Sequence, residues 1–559
     1  MKTTKKTMLT AVLALGMIAA GSGTVYAAAS PGHSVVKSAN QNSGNGVNSN
    51  DSDSRRNENR AYRDDTSFAG NSNENSSDNK NKAEAKNGSL AINNNKNSDK
   101  NENKAEAKNG SFAGNGNDNS HKNENEAKAE NKSSASNTNV DSDKNKNKAE
   151  AKNGSGAGNG NLKSYGNQNE AKAKDAGNAA NSNDNSNSNK NKAEAEGSGA
   201  IAGNSNSKSS YNQNEAKAKN GGVAGNANTN SNKNQNEAKA SDKDSKAFNA
   251  NTDSNSNKNK AEATSGGTAS NLNDKSNYNE NKAEAKTGGT AGNLNSGSDK
   301  NKNEATAADK GSTASNTNIN SDSNKNKAEA AIGGTATNIN SGGGYNKNDA
   351  GAKNGGQASN TTTGVGNESS SKADNGAATS TTTGKGNEVS STAKNTNGGI
   401  YPAPLSGAQA SANGNGNEST ASATGKDSLA QSNADGTKNT VKAVATGGGW
   451  AAANTEPGSV NGKATSIANG GGNTATFAKA TAGNNATAYA EAANGGYSSA
   501  TATRPGSYAV ARSVGSGSTA TASATGKPAD DVASANCTAG GGGAAIAATS
   551  GGAFAQKFC

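Results

Sequence analysis

The groups most often used in catalysis and metal binding are scarce in this chain of 559 residues. It contains two histidines, His33 and His121, and two cysteines, Cys537 and Cys559. Neither histidine lies at a metal-ligand spacing, and no Cys-x-x-Cys motif is present. A zinc site, a Cys–His pair or a Ser–His–Asp set needs more such groups than this sequence supplies. We therefore expect no enzyme activity, no metal site and no cofactor.

Acidic and glycine-rich stretches provide no further binding motif. Asp51-Ser52-Asp53 begins like a calcium loop, but the glycine and the bidentate glutamate of such a loop do not follow. Residues 540–543 are all glycine, but no Lys-Ser or Lys-Thr follows to complete a phosphate-binding loop. Because the remaining Lys and Glu residues recur within a repeat, we interpret them as solvated surface charge.

The first 27 residues have the features of a secretory signal peptide. A lysine-rich start at residues 2–6 precedes a short apolar run, and Val25-Tyr26-Ala27 fits a small-residue cleavage site. We expect cleavage after Ala27, with Ala29 as the alternative, and a protein that a bacterium exports to its surface or its surroundings. No later run is long and apolar enough to span a bilayer, so no transmembrane segment is expected in the mature chain.

Export also bears on Cys537 and Cys559. An even number of cysteines in an exported protein predicts a disulfide between them, which would close a Gly- and Ala-rich loop near the C-terminus. Free thiols are the alternative.

Composition argues against both a globular enzyme and a nucleic-acid-binding protein. Hydrophobic residues make up 28% of the chain and aromatic residues 3%, which is too little for a conventional core. The formal charge is +10, but Lys and Glu are interleaved rather than grouped. No basic stripe is therefore directed at nucleic acid, and only weak attraction to anionic polymers is expected.

A tandem repeat of about 22 residues dominates the sequence. Each of 13 copies carries Asn-x-Ala-x-Ala, and an intact Ala-x-Asn-x-Asn follows in 12 of them. The first motif starts at Asn81, Asn103, Asn125, Asn147, Asn169, Asn191, Asn214, Asn236, Asn259, Asn281, Asn303, Asn326 and Asn348. A fixed period is typical of a stacked array, which forms surfaces, fibres and stalks more often than active sites.

The repeat favours strands over helices. Lys-Ala-Glu-Ala-Lys contains strong helix formers, but each run is far shorter than the roughly 12–15 residues that an isolated helix needs. In a strand, the Asn and both Ala residues of Asn-x-Ala-x-Ala share one side and the two charged positions share the other. The first charged position changes sign at 9 of the 12 steps between neighbouring copies. Stacked copies about 4.8 Å apart would therefore place opposite charges side by side.

We predict an all-β fold, a narrow cross-β-like solenoid combined with long disordered segments. Stacked Asn side chains satisfy their own amides along such an array. Turn sequences such as Asn87-Gly88, Asn109-Gly110 and Gly333-Gly334 lie between the strand motifs. The alternative is a largely disordered chain.

Composition divides the chain into five parts. They are the signal peptide at 1–27, a disordered Asn/Ser-rich lead-in at 28–80, the repeats at 81–360, a Thr/Gly/Asn-rich transition at 361–440, and an Ala/Thr/Gly-rich region of alternating β-repeats with the cysteine pair at 441–559.

Residues 81–360 resemble curlin, the subunit of bacterial amyloid fibres, in repeat length, paired short strands and stacked amide side chains. Curlin-type repeats also carry Gln at set positions, whereas strand positions here carry Lys and Glu. The C-terminal third is similar to the Gly-punctuated Ala-x-Ala heads of trimeric autotransporter adhesins, as in Ala500-Thr501-Ala502 and Ala520-Thr521-Ala522. These resemblances imply a β-structured surface protein that adheres or forms fibres.

The leading functional hypothesis is an exported structural protein of a bacterial cell surface or biofilm matrix. Its expected partners are further copies of itself, or polymers of the cell surface and matrix. One alternative is a disordered entropic spacer. Another is a solenoid that binds ice or another crystal surface, suggested by Thr501-Ala502-Thr503 and Thr519-Ala520-Thr521.

Overall fold

A computed structural model describes the chain from residue 47 to residue 558, with gaps. The gaps are 53–57, 64–67, 89, 155, 176, 198, 243, 310, 387, 395–406, 414–417, 426–427, 436–437, 439, 448, 456–460, 462, 471–475, 484–486, 495, 504–507, 516–517, 526–531, 539–543 and 550–553. Ala27, Ala29, His33, Cys559 and the side chain of Cys537 lie outside the described residues. Signal cleavage and the disulfide therefore stay predictions.

The described residues form 46 β-strands and no helix. They belong to two compact units, Met1–Ala261 (the N-terminal unit) and Glu262–Cys559 (the C-terminal unit). In each unit the strands alternate between two walls, so that odd-numbered strands form one wall and even-numbered strands the other. One odd strand and the even strand after it make one coil.

The odd strands of the N-terminal unit are β1 (Val47–Ser52), β3 (Phe68–Glu74), β5 (Leu90–Lys96), β7 (Phe112–Asp118), β9 (Ser134–Val140), β11 (Gly156–Leu162), β13 (Asn178–Asp184), β15 (Ile201–Ser207), β17 (Val223–Thr229) and β19 (Lys246–Thr252). Its even strands are β2 (Glu58–Arg63), β4 (Lys80–Ala85), β6 (Glu102–Lys108), β8 (Glu124–Glu130), β10 (Lys146–Lys152), β12 (Gln168–Lys174), β14 (Lys190–Glu196), β16 (Gln213–Lys219) and β18 (Gln235–Ser241), and β20 (Lys258–Thr264) contains the division between the units.

The odd strands of the C-terminal unit are β21 (Thr268–Asp274), β23 (Thr290–Ser296), β25 (Thr313–Ile319), β27 (Thr335–Ser341), β29 (Gln357–Thr363), β31 (Ala377–Thr383), β33 (Gly407–Asn413), β35 (Leu429–Asp435), β37 (Trp450–Thr455), β39 (Phe477–Ala482), β41 (Tyr497–Thr503), β43 (Thr519–Thr525) and β45 (Ala544–Thr549). Its even strands are β22 (Glu280–Ala285), β24 (Lys302–Ala307), β26 (Lys325–Ala330), β28 (Lys347–Ala352), β30 (Glu368–Asp374), β32 (Glu388–Lys394), β34 (Glu418–Thr424), β36 (Thr440–Thr446), β38 (Lys463–Asn469), β40 (Thr487–Ala492), β42 (Tyr508–Val514), β44 (Val532–Thr538) and β46 (Phe554–Phe558).

Within each unit, the strands pair in parallel with the equivalent strands of the adjacent coils. Thus β15 pairs with β13 and β17, and Asn204 lies between Asn181 and Asn226. On the other wall, β16 pairs with β14 and β18 in the same manner. This arrangement is a parallel β-solenoid, so the sequence-based prediction of fold class is confirmed, and the disordered alternative does not hold for the described residues.

Asparagine amides join successive coils inside the N-terminal unit. Asn181 Nδ2 donates to Asn204 Oδ1 at 2.8 Å, and Asn204 Nδ2 donates to Asn226 Oδ1 at 2.8 Å. Asn204 Nδ2 also donates to the carbonyl of Glu215 at 2.9 Å on the facing strand. One amide therefore links two neighbouring coils and both walls of its own coil. The predicted Asn ladders are confirmed.

A further buried column lies at the corner between the odd and even walls. Ser98 Oγ donates to the Lys96 carbonyl at 2.8 Å and accepts from the backbone N–H of Ser76 at 3.0 Å. Three residues later, Asn101 Oδ1 accepts from the backbone N–H of Asn79 at 3.0 Å. These side chains satisfy corner backbone groups that the strand ladders cannot reach.

The array begins before the first predicted repeat. Strands β1, β2 and β3 lie within 28–80, the stretch that composition assigns to a disordered lead-in. Ala61 is in register with Ala83, and Asn71 with Asn93, so this stretch continues the columns of the later coils. Ala69-Gly70-Asn71-Ser72-Asn73 is a complete second motif, but Asn59-Arg60-Ala61-Tyr62-Arg63 lacks the second Ala, which is why counting intact copies of Asn-x-Ala-x-Ala misses this stretch.

The interior changes composition within the predicted transition at 361–440. Asn338 Nδ2 donates to Asn360 Oδ1 at 2.9 Å, but the next residues in that column are Ser380 and Ala410. Buried Ala residues then merge into one apolar cluster that includes Val389 and Val441. The solenoid thus continues while its interior changes from hydrogen-bonded amides to small apolar side chains and buried hydroxyl groups such as Ser419 and Ser432.

Replacing Asn204 by Ala tests the amide ladder. The change removes three hydrogen bonds and, in a buried site, leaves one N–H of Asn181 Nδ2 without its acceptor and Asn226 Oδ1 without its donor from the preceding coil. We expect a loss of about 2–3 kcal/mol in local opening free energy. Hydrogen exchange of the β13, β15 and β17 amides measures it. Ser205→Ala, at the exposed neighbouring position, is the control and should change little; equal protection in both variants would contradict the ladder's role.

Replacing Gly334 by Ala tests how closely the coils approach at the turns. A Cβ at Gly334 would lie 2.7 Å from the Ser312 carbonyl oxygen of the adjacent coil. The backbone must move to relieve this contact, so we expect a loss of about 1–3 kcal/mol, measured by hydrogen exchange around β25–β27. Gly351→Ala is the control, because its Cβ would meet only the Glu329 side chain at 3.9 Å. If hydrogen exchange in the Gly334→Ala variant matched that of the unmodified chain, the coils would have to be further apart at this turn than the structure shows.

Candidate interaction surfaces

The outward side chains of the even strands, called the even face here, form a lattice of mostly Lys and Glu from β4 to β30. In the N-terminal unit, Lys148 is in register with Glu126 and Glu170 of the adjacent coils. Its Nζ atom lies 2.9 Å from a carboxylate oxygen of Glu150 in the same strand and 3.5 Å from one of Glu126. The charge alternation in the sequence therefore becomes a network of ion pairs within and between coils.

This network alters the proton affinity of its members. Partial burial acts to raise the pKa of Glu150, but the hydrogen bond from Lys148 and the charges of Lys148, Lys128 and Lys172 outweigh it, so that pKa lies below its usual value. The hydrogen bond to Glu150 raises the pKa of Lys148 despite partial desolvation. Both groups are therefore charged at neutral pH.

Some coils stack like charges, and there the pairs form along the strand. Lys82 is in register with Lys104, and Glu84 with Glu106. Lys104 Nζ lies 2.8 Å from a Glu106 carboxylate oxygen, so each coil neutralises itself. Opposite charges within one strand therefore compensate where neighbouring coils carry the same sign.

The outward side chains of the odd strands differ in kind, and we call this surface the odd face. In the C-terminal unit Thr501 and Thr503 alternate with the buried Ala502, and Thr519 and Thr521 with the buried Ala520. Strand β41 is in register with β43, so their hydroxyl groups form columns. The threonines singled out in the sequence are therefore on one surface.

Hydroxyl columns also occur earlier in the C-terminal unit, where the sequence interpretation did not place them. Thr317, Ile339, Thr361 and Thr381 follow one another in a single outward column. The signal was the second variable position of the Ala-x-Asn-x-Asn copies, which becomes informative only when strand register is known.

An aromatic column interrupts the hydroxyl groups of the odd face. Leu429, Trp450, Phe477 and Tyr497 occupy the same outward position in successive coils. The rings of Trp450 and Phe477 meet edge to face at 5.6 Å, and those of Phe477 and Tyr497 stack at 5.1 Å. Trp450 is 51% exposed, so the column remains accessible to a partner.

Tyrosine and lysine residues decorate the corner turns. In the N-terminal unit, Lys233 Nζ donates to the Tyr211 hydroxyl at 3.0 Å and lies 5.1 Å from the ring centroid. In the C-terminal unit, Lys300 contacts Tyr278 with nearly the same geometry, and this hydrogen bond raises the pKa of Lys300. These turns therefore present paired aromatic and cationic groups to solvent.

The residues first considered for catalysis do not form a site in the described part of the chain. His121 lies in a corner turn. Its ring Nδ1 accepts from the Asp143 backbone N–H at 3.1 Å, and its backbone N–H donates to Asp99 Oδ1 at 2.8 Å. Among the described residues, no group of His, Cys, Asp and Glu could hold a metal ion. The described residues also include no helix long and apolar enough to cross a membrane.

Comparisons with protein-family models, curated proteins and solved structures give no match to the chain. The fold and its two surfaces are therefore the observations on which a function can be argued.

Reversing the charge of Lys148 tests the ion-pair lattice. Lys148→Glu would place five carboxylates close together, because Glu124, Glu126, Glu150 and Glu170 surround the site. We expect a loss of about 0.5–1 kcal/mol in the opening free energy of β8–β12, measured by hydrogen exchange and reduced in 1 M salt. Lys148→Gln is the control for the lost side chain. Identical behaviour of the two variants would contradict an electrostatic contribution.

Proposed function

We propose that this chain is an exported structural protein of a bacterial cell surface or extracellular matrix, where it adheres or assembles into fibres. The single observation that carries the proposal is the uninterrupted register within each unit. Parallel pairing repeats the same outward positions coil after coil, and so produces extended repeating surfaces. Extended repeating surfaces suit contact with large, repetitive partners.

The character of the two faces supports this role. The even face is densely charged from β4 to β30, and this charge opposes non-specific association of a strand-rich protein through that part of the face. The odd face carries hydroxyl, aliphatic and aromatic groups, which suit contact with polymers or further copies of the chain. The resemblance to curlin and to autotransporter adhesin heads agrees with a role outside the cell.

Surface labelling of the producing bacterium tests the proposal. An antibody raised against residues 81–360 should label intact, unpermeabilised cells or the surrounding matrix, because the signal peptide directs export. An antibody against a cytoplasmic protein is the control and should label only lysed cells. Cells that lack the protein should adhere less to surfaces or to one another. Labelling only after lysis would contradict the proposal.

A second candidate function is binding to ice or another ordered crystal surface. The observation that favours it is the register of outward Thr and Ser residues in β41 and β43, where Thr501 lies beside Ser523. Stacked strands repeat these hydroxyl groups about every 4.8 Å. Thermal hysteresis and recrystallisation inhibition by the mature chain test this function. Their absence would remove ice binding and leave the structural role unaffected.

A further inference from the structure

The two faces of the C-terminal unit differ sharply in charge. On the even strands β22–β42, 20 of the 39 outward residues are Lys, Arg, Glu or Asp, and 13 of these are among the 16 on β22–β30. On the odd strands β21–β43, which number 12, the charged residues at described outward positions are Asp274, Asp435 and Lys479. Charge is therefore concentrated on one wall of this unit.

Exposed apolar side chains are concentrated on the opposite wall. Among the described strand residues of this unit, one exposed large apolar residue, Tyr508, lies on an even strand. Those on odd strands are Leu272, Leu294, Ile319, Ile339, Leu429, Trp450, Tyr497 and Ile546. Large clusters of exposed apolar residues beside a polar surface often mark interaction sites.

The odd face is also large enough for a stable interface. A seven-residue strand is about 23 Å long, and 12 stacked strands extend about 55 Å. The face therefore covers roughly 1,300 Å², above the roughly 800 Å² per partner of a standard protein–protein interface. Much of this area can be buried without desolvating charge.

We propose that a second copy of this chain covers the odd face of the C-terminal unit, so that two molecules associate through these uncharged walls. This inference rests on the proposed function, because it names the surface through which a matrix protein would assemble. Burial of Leu, Ile and aromatic side chains provides the driving force. Packing through the even faces would instead bury the dense Lys/Glu lattice of β22–β30 and the scattered charges of β32–β42, and their desolvation opposes association.

The same charge segregation limits the association to a pair. When two odd faces are in contact, both even faces point outward and remain hydrated. A contact between identical surfaces closes on itself with two-fold symmetry and does not propagate. The product is therefore a dimer with charged outer walls, not an open stack of sheets.

Sedimentation velocity of the mature chain, from residue 28 to residue 559, tests the inference. We expect a concentration-dependent monomer–dimer equilibrium with micromolar or tighter affinity. Leu294→Glu combined with Ile339→Glu places like charges on both contacting surfaces, so the dissociation constant should rise about 100-fold or more. Both side chains are already about two-fifths exposed, at 37% and 40%, so the monomer should tolerate the change.

The matched control adds two charges to the opposite wall. Thr420→Glu combined with Thr446→Glu alters exposed positions of β34 and β36, and it should leave the dimer intact. Circular dichroism of both double variants should show the same strand content as the unmodified chain.

Three results would overturn the inference. The chain could remain monomeric at all concentrations, the odd-face variant could dimerise like the unmodified chain, or both double variants could weaken the dimer equally. These results are independent of surface labelling. A protein that is labelled on intact cells but remains monomeric would retain the proposed function and lose this interface. A dimer found only inside cells would retain the interface and contradict the proposed function.

Discussion

The structure depends on the hydrogen bonding of buried asparagine amides along the stack. A carboxamide has both a donor and an acceptor, so identical side chains in successive coils satisfy one another without a partner of different chemistry. The second N–H of residues such as Asn204 bonds to the facing wall and fixes the separation of the two walls. In a polar interior this geometry is specific, because a shift of one residue would bury charged side chains and expose amides.

Register then determines every surface feature. Because the interior columns are fixed, each outward position is repeated about every 4.8 Å, and alternating charges in the sequence become ion pairs such as Lys148 with Glu126. The same constraint collects threonine and aromatic residues from distant parts of the sequence onto one wall. Where the amide ladder ends near Asn360, Ala and Val maintain the columns by close packing, so the surface pattern continues over a different interior.

Much of this architecture could be predicted from the sequence, because period, strand alternation and amide stacking are local properties. Asn-x-Ala-x-Ala identifies the inward side of a strand without any knowledge of its neighbours. The corner motif Ser98-Asp99-Lys100-Asn101 was equally visible, but its function depends on backbone groups of the adjacent coil. The columns of the odd face could not be assigned, because coil length varies irregularly, from 20 residues between Asn360 and Ser380 to 30 between Ser380 and Ala410, and only the pairing shows which positions meet.

The most direct test of the account is a distance measurement between two labels in one outward column of the N-terminal unit. Thr138 and Ala250 are five coils apart in that column, and the pairing predicts about 24 Å between their backbones. Spin labels at these positions, in a chain with both native cysteines replaced by serine, should give a narrow distance distribution near this value. A broad distribution centred near the roughly 55–60 Å of a flexible chain of this length would contradict the solenoid and every surface derived from it.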